Sequence, residues 1–150
     1  MDYCSSVLSG ISGQLLQRLQ SVFNAATRLV FSARKSEHIT PLLRELHWLK
    51  VPERIQFRLC ALVYRCLIGT APSYLAETFH LTANVGSRRR LRSASTSTMV
   101  IPSTRRTTLG DQAFPVTAAR AWNVLLSSVR SAPSLLQFHR NLFQSSYSST

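Results

Sequence analysis

The chain has 150 residues, 45% of them hydrophobic, and a formal charge of +12 from 18 basic and 6 acidic side chains. That apolar content excludes a disordered chain and suffices for one domain, or a helical unit with a small appendage, around a real core. The charge points to a polyanionic partner, nucleic acid first and an anionic membrane surface second, and nearly all the basic residues are Arg, whose planar fork grips phosphate bidentately.

Asp2 to about Ser9 reads as a short helix ended by Gly10 and Gly13. From Gln14 to about Phe31, Leu15, Leu19, Val22 and Ala26 recur at helical spacing, with Leu16, Phe23 and Val30 as a neighbouring row at sevens. A basic turn, Arg34-Lys35, follows. Thr40-Pro41 then reads as N-cap and first-turn proline of a short helix to about His47. Pro52 opens a helix to about Ile68, stopped by Gly69. Its apolar set wraps most of the circumference, which makes it the central helix, and Arg54, Arg58 and Arg65 form a basic stripe along it. Pro72 opens a short helix to about His80.

The texture changes near Gly86. Residues 88–110 are poor in large apolar groups and rich in Arg, Ser and Thr, with β-like runs at Thr98-Met99-Val100-Ile101 and Thr107-Thr108-Leu109 that read as a short hairpin. Helical character returns at about Val116 to Leu126, where Ala118, Ala119, Trp122 and Leu125 share a face. Ser134 caps a last helix from Leu135 to about Phe143, and the tail from Ser145 frays. The expected fold is mainly α: a helical bundle-like part over 1–86, and a basic C-terminal part over 87–150 holding the small β-hairpin. From Arg88 onward there are 9 basic residues and a single acid, Asp111.

The densest charged feature is Arg88-Arg89-Arg90-Leu91-Arg92, with Arg105-Arg106 close behind. A hairpin between them would bring both clusters to one end to straddle a phosphate backbone, giving steeply salt-dependent, sequence-independent affinity. Arg88, Arg89, Arg90, Arg92, Arg105 and Arg106 are therefore the candidate nucleic-acid contacts, against the competing readings of a solvated loop or a nuclear-import signal. Arginines such as Arg54, Arg58 and Arg65, flanking an apolar helix face, more often lie over the core. Trp48, Trp122, Phe114 and Phe138 read as core anchors.

Other chemistry finds little support. Cys60 and Cys66 stand six apart on a helix, about 120° off one line, and no His pair stands beside them at ligand spacing. Cys4, Cys60 and Cys66 read as free thiols in a reducing compartment. His38, His47, His80 and His139 are scattered, and there is neither a nucleophile elbow nor a glycine-rich phosphate loop. Two-metal polymerase or nuclease chemistry needs clustered carboxylates, whereas Asp2 and Asp111 are the only aspartates and the four glutamates are dispersed. No metal, cofactor or catalytic group is expected. With no secretory leader and no membrane-length apolar run, the expected compartment is intracellular, nuclear or cytoplasmic, without a membrane partner.

Several segments in order resemble the region after the reverse-transcriptase palm in non-LTR (LINE-type) retrotransposons: Asp2 to Leu8, Leu19 to Leu29, Glu37 to Leu43, Leu46-His47-Trp48-Leu49, Arg54 to Tyr64, Gly69 to Leu75, Arg90 to Ser93, Gly110 to Phe114 and Ala121-Trp122-Asn123. The resemblance spans nearly the whole chain and is carried by the ordered set rather than by any one piece. It implies a thumb-like helical segment, of the kind that grips the template–primer duplex by its backbone, followed by a C-terminal extension. The family's paired palm aspartates and its endonuclease lie upstream and are absent here. Lys50 stands where the family usually has proline, Leu126 where a Leu-Pro pair is common, and Met1 where the family runs on, which implies a drifted, truncated copy. The expected function is a non-catalytic segment that binds RNA or DNA backbone non-specifically, with the remainder of a reverse transcriptase as a further partner. The alternative is an orphaned structural or interaction remnant, which apolar patches exposed on the helices at Gln14 to Phe31 or Pro52 to Ile68 would favour.

Overall fold

The computed structural model describes residues 8, 10–84, 97–103 and 110–148. Their helices are α1 (Gly13–Phe31), α2 (Ile39–Glu45), α3 (Val51–Leu67), α4 (Ser73–Ala76), α5 (Phe114–Val124), α6 (Ser127–Arg130) and α7 (Leu135–Ser148), with a 3-10 turn at Thr82–Asn84. Extended pairing among the described residues is confined to one antiparallel bridge, Leu81 with Met99. The fold is mainly α. No helix among the described residues is long and apolar enough to cross a membrane.

The helix expected at the centre takes that place: α3 packs against α1, α4, α5 and α7. Its buried side chains are Ile55, Leu59, Cys60, Val63, Tyr64 and Cys66, spread too widely for one stripe, as a helix enclosed by neighbours requires. The joint with α5 and α7 is aromatic. Phe138 of α7 stacks on Tyr64 of α3 at 4.4 Å between ring centroids and on Trp122 of α5 at 5.7 Å, and Phe138 and Trp122 are both 0% exposed. The Tyr64 hydroxyl donates to the Ala132 carbonyl at 2.8 Å, so the ring's polar tip is paired inside the core.

Trp122 and its neighbour also fix the extended segment before α5. The Trp122 indole N–H donates to the Ser97 carbonyl at 2.9 Å. The Asn123 carboxamide clamps Met99 from both sides, accepting from its N–H at 2.8 Å and donating to its carbonyl at 3.0 Å. On the other edge Thr82 N–H donates to the Thr98 carbonyl and Val100 N–H to the His80 carbonyl, both at 2.9 Å. The β-like run 98–101 thus pairs with residues 80–82; residues 107–109, its expected partner, lie outside the described residues, as do residues 1–7 and 9 of the first expected helix. Met99, clamped this way, is buried in the same cluster as Leu59, Phe79, Ala119 and Leu142. Composition and charge change at 86–87, and the packing runs continuously across it. Gly10, at φ +95°, lies so close to Gln112 that an added Cβ would meet its side chain at 2.9 Å, a second tie across that position.

Of the two apolar rows of α1, the one through Leu16 and Phe23 turns inward and the one through Leu15, Leu19 and Val22 does not. Leu15, Leu19, Val22, Leu29 and Val30 are all exposed, and Thr27 is the buried residue. The inward row is Leu16, Gln20, Phe23, Asn24 and Thr27, a third of the circumference away from Leu15 and Leu19. Polar contacts explain the choice. Gln20 accepts the Val51 N–H at 2.7 Å, satisfying a first-turn donor of α3 that has no partner within its own helix, and donates to Asn24 Oδ1 at 2.7 Å. Thr27 returns its hydroxyl to the Phe23 carbonyl at 2.9 Å, so its burial leaves no polar group unpaired.

Helix ends follow local chemistry. α2 begins at Ile39 behind His38, not at a Thr40 cap; Pro41 then sits in the first turn, where its missing N–H would have had no helical partner. α3 is started by Glu53, which accepts the Lys50 N–H at 3.1 Å. α4 stops at Ala76, short of the expected His80, because the strand-like pairing takes over at His80. Ser134 caps α7 as expected, its hydroxyl accepting the Gln137 N–H at 3.2 Å, but the helix runs past Phe143 to Ser148.

Two outcomes follow from the core. Phe138→Ala, which empties the centre of the stack, costs about 3–5 kcal/mol in urea unfolding, while Tyr64→Phe, which strands the buried Ala132 carbonyl, costs about 1–3 kcal/mol. The second concerns His139, whose ring packs 5.4 Å from Phe57 and whose Nε2 is shielded from solvent. Burial, together with the Arg65 and Arg58 guanidinia, holds its imidazole below the ordinary histidine value. The unfolded chain then binds the proton more readily, so this residue's contribution falls as pH drops through about 6.5 toward the folded value. The wild type therefore loses more stability than His139→Gln between about pH 7 and pH 5. Parallel pH profiles for the two proteins would contradict this assignment.

Candidate nucleic-acid interface

Arg88, Arg89, Arg90, Arg92, Arg105 and Arg106 lie outside the described residues. The described flanks of residues 85–96 are anchored: Thr82, shortly before them, and Thr98, just after, are bonded to each other through backbone and the Thr82 hydroxyl, both at 2.9 Å. On the described surface, the basic feature that stands out is the α3 line. Arg54, Arg58 and Arg65 fall within about 40° of one another, about 6 Å and then 10 Å apart along the axis. Arg58 and Arg65 are exposed and Arg54 is half-buried.

Arg54 and Arg58 also enter a cleft between α1, the α2–α3 turn, α3 and α7. Its volume is about 550 Å³. The aromatic side chains lining it include Phe23, Trp48, Phe57 and Phe143, and its cations are Arg54 and Arg58. Phe23 and Trp48 lie 4.9 Å apart at 33° between ring planes. The Arg54 guanidinium carbon stands 4.6 Å from the Phe23 centroid, a cation–π contact. A second, narrower pocket of about 140 Å³ continues past Phe23 and Arg54 toward Leu19, Val22 and Val51. The cleft and the apolar stripe of α1 therefore form adjoining parts of one surface.

The backbone that presents Trp48 is specific. The Trp48 N–H donates to the Leu43 carbonyl at 2.8 Å and the His47 N–H to the Arg44 carbonyl at 3.0 Å, a Schellman ending to α2. His47 occupies the left-handed position of that motif, at φ 53°, where glycine is usual; Gly69 fills the matching place after α3, at φ 73°. The motif swings the chain back so that residue 48 faces α1.

Reactive groups are otherwise muted. Burial pushes the Cys60 thiol up to about 12 and raises Cys66, which keeps both protonated and unreactive. Among the described residues no three His, Cys, Asp or Glu side chains come together as a metal-binding group. Asp111, the sole acid of the C-terminal part, pairs with Arg120 at 2.9 Å on the surface.

Of the residues expected as core anchors, Trp122 and Phe138 are fully buried and Phe114 packs edge-on to Phe79 at 5.8 Å, whereas Trp48 is half-buried in the cleft wall. The cleft itself escaped sequence reasoning. Phe23, Trp48, Arg54 and Phe143 belong to four different segments, and only the i, i+4 spacing of Arg54 and Arg58 was visible locally.

Strain at His47 gives a direct test. His47→Gly relieves a left-handed residue and raises stability by about 1 kcal/mol, read as a higher urea midpoint at unchanged slope. No known protein family, no characterised protein and no solved structure matches this chain.

Proposed function

We propose that the chain is a non-catalytic nucleic-acid-binding module, corresponding to the post-palm, thumb-like and extension region of a LINE-type retrotransposon reverse transcriptase. It holds RNA or DNA by the phosphate backbone, without reading sequence. The observation that carries this reading is the arginine line of α3, with the exposed Arg58 and Arg65 in register with Arg54 at the cleft, in a chain of net charge +12. Three arginines in line on one helix set positive charge at fixed spacing, which suits contact with a phosphate backbone. Arg88, Arg89, Arg90, Arg92, Arg105 and Arg106 extend the same basic character through the C-terminal part. The compartment is nuclear or cytoplasmic, where nucleic acid is present, and dispersed carboxylates assign the chain no cutting or joining chemistry of its own.

A second reading has its own observation. The exposed stripe Leu15, Leu19, Val22, Leu29 and Val30 is an apolar face of the kind that packs on another polypeptide, and it fits an interaction remnant that once docked on the body of a polymerase.

Anisotropy of a labelled duplex at about 50 and 200 mM salt separates the two. Backbone binding gives a steep log–log salt slope. Changing Arg54, Arg58 and Arg65 to Ala, or Arg88, Arg89, Arg90 and Arg92 to Ala, lowers that slope by roughly one unit per lost phosphate contact. Absence of binding at the lower salt removes the first reading and leaves the second.

A further inference from the structure

We infer that the exposed seam of α1 is a docking site for one acidic amphipathic helix of another polypeptide, which inserts an apolar side chain into the pocket between α1 and the start of α3. The inference rests on the second reading above and names the partner's structure and charge. It does not depend on nucleic-acid binding.

The spacing of the exposed row points to a helix as the occupant. Leu15, Leu19, Val22, Ala26 and Leu29 stand alternately four and three residues apart, and all five are exposed. A repeat of about 3.5 residues keeps one narrow seam against a partner helix, whereas a helix packed on a globular core shows a broader stripe. The run covers about 21 Å of helix axis. The core-facing row of α1 is already packed, yet Val22 and Leu29 remain 63% and 81% exposed.

The narrow pocket of about 140 Å³ beside this seam has the form such a partner needs. Its lining includes Leu19, Val22, Phe23 and Ala26, at positions i, i+3, i+4 and i+7 of α1. In paired helices a side chain of one enters a hole framed by four residues of the other, and these four frame one. Val51 and Ile55 of α3 also line the pocket, so an entering side chain touches two helices. A cavity of about 150 Å³ accepts a benzene ring, which sets the anchor at one Leu or Phe side chain. Phe23 is braced by the Trp48 ring at 4.9 Å and the Arg54 guanidinium at 4.6 Å, so this wall is formed before a partner arrives.

Charge selects the kind of helix. The charged side chains of α1 are Arg18 and Arg28, and it carries no acid. Arg28 donates to the Glu37 carbonyl at 3.4 Å. Arg18 is exposed and adjoins Leu19, on the flank where paired helices place their charged residues. A partner with Glu or Asp opposite gains a charge pair there and is attracted to a chain of net charge +12. A second copy of this chain brings the same arginines and the same positive charge, which disfavours self-pairing.

The test uses the full chain and three fluorescent peptides of three heptads each. The first has Leu at every a and d position and Glu at every e and g. The second has Lys in place of those Glu residues, and the third has the composition of the first in scrambled order. At about 150 mM salt the Glu-flanked peptide binds saturably, and the other two bind at least about tenfold more weakly. Ala26→Trp fills the pocket while making the surface more apolar, and weakens binding by about tenfold or more; unspecific adhesion would strengthen instead. Arg18→Glu weakens binding of the Glu-flanked peptide roughly 2–5-fold and improves that of the Lys-flanked one by a similar factor. Both positions are exposed, so the urea midpoint stays at the wild-type value. Equal binding of the scrambled peptide, equal binding of the Lys-flanked one, or tighter binding by Ala26→Trp overturns the docking site and leaves only an unspecific apolar face. A dimer in sedimentation that excludes the peptide assigns the seam to a second copy and overturns it too. If no peptide binds and the chain stays monomeric, the inference and the second reading fall together.

Discussion

Everything in this fold is organised around the Phe138 ring, held between Tyr64 and Trp122. Face-to-face stacking at 4.4 Å on one side and 5.7 Å on the other fixes α7 and α5 to α3 at once. Because Trp122 and Tyr64 also spend their polar atoms on the Ser97 and Ala132 carbonyls, the stack sets the positions of an extended segment and of the turn before α7. An aromatic core with satisfied polar tips specifies one arrangement more tightly than aliphatic packing alone. It also explains how the basic C-terminal part joins a common core: Trp122 and Phe138, both fully enclosed, anchor a set that includes Met99, Ala118, Ala119, Leu125, Val129 and Leu142.

The surface chemistry is a consequence of this arrangement. With α5 and α7 on one side of α3, α1 and the α2–α3 turn are left to cover the other. They do so through a mixture of polar and aromatic contacts, the Gln20 bond to Val51 and the Phe23–Trp48 pair, instead of through the richest apolar row of α1. Two features result. The apolar row stays in solvent, and the imperfect closure between α1 and α3 leaves the aromatic cleft that Arg54 and Arg58 border. A tighter, purely aliphatic α1–α3 contact would have filled that space.

Electrostatics act on the same helix. The guanidinia of Arg65 and Arg58 also disfavour protonation of His139 across the α3–α7 contact, adding to the effect of its burial. A helix that presents positive charge outward while packing an imidazole behind it has its acid sensitivity built in, because the groups that make the surface basic are the ones that resist a further proton.

Helix identities and the central role of α3 were legible in the sequence, since 3.6-residue periodicity, prolines at Pro52 and Pro72 and the glycine at Gly69 act within a few residues of each other. The burial of Ala118, Ala119, Trp122 and Leu125 was legible for the same reason. The cap at Ser134 was too, because its partner Gln137 is three residues away. The orientation of α1 was not. Periodicity shows that a helix has an apolar stripe, but whether the stripe faces inward depended on a hydrogen bond that Gln20 accepts from the Val51 N–H, 31 residues distant. The partner of the 98–101 segment was hidden likewise, because its pairing with 80–82 and the Asn123 clamp span gaps that no local pattern encodes. What the sequence determined alone was the basic charge and the longer helices, both sums over neighbouring residues; the short helix Ser127–Arg130, the cleft and the face α1 presents were decided only when distant segments packed, because burial and side-chain pairing are properties of the assembled chain.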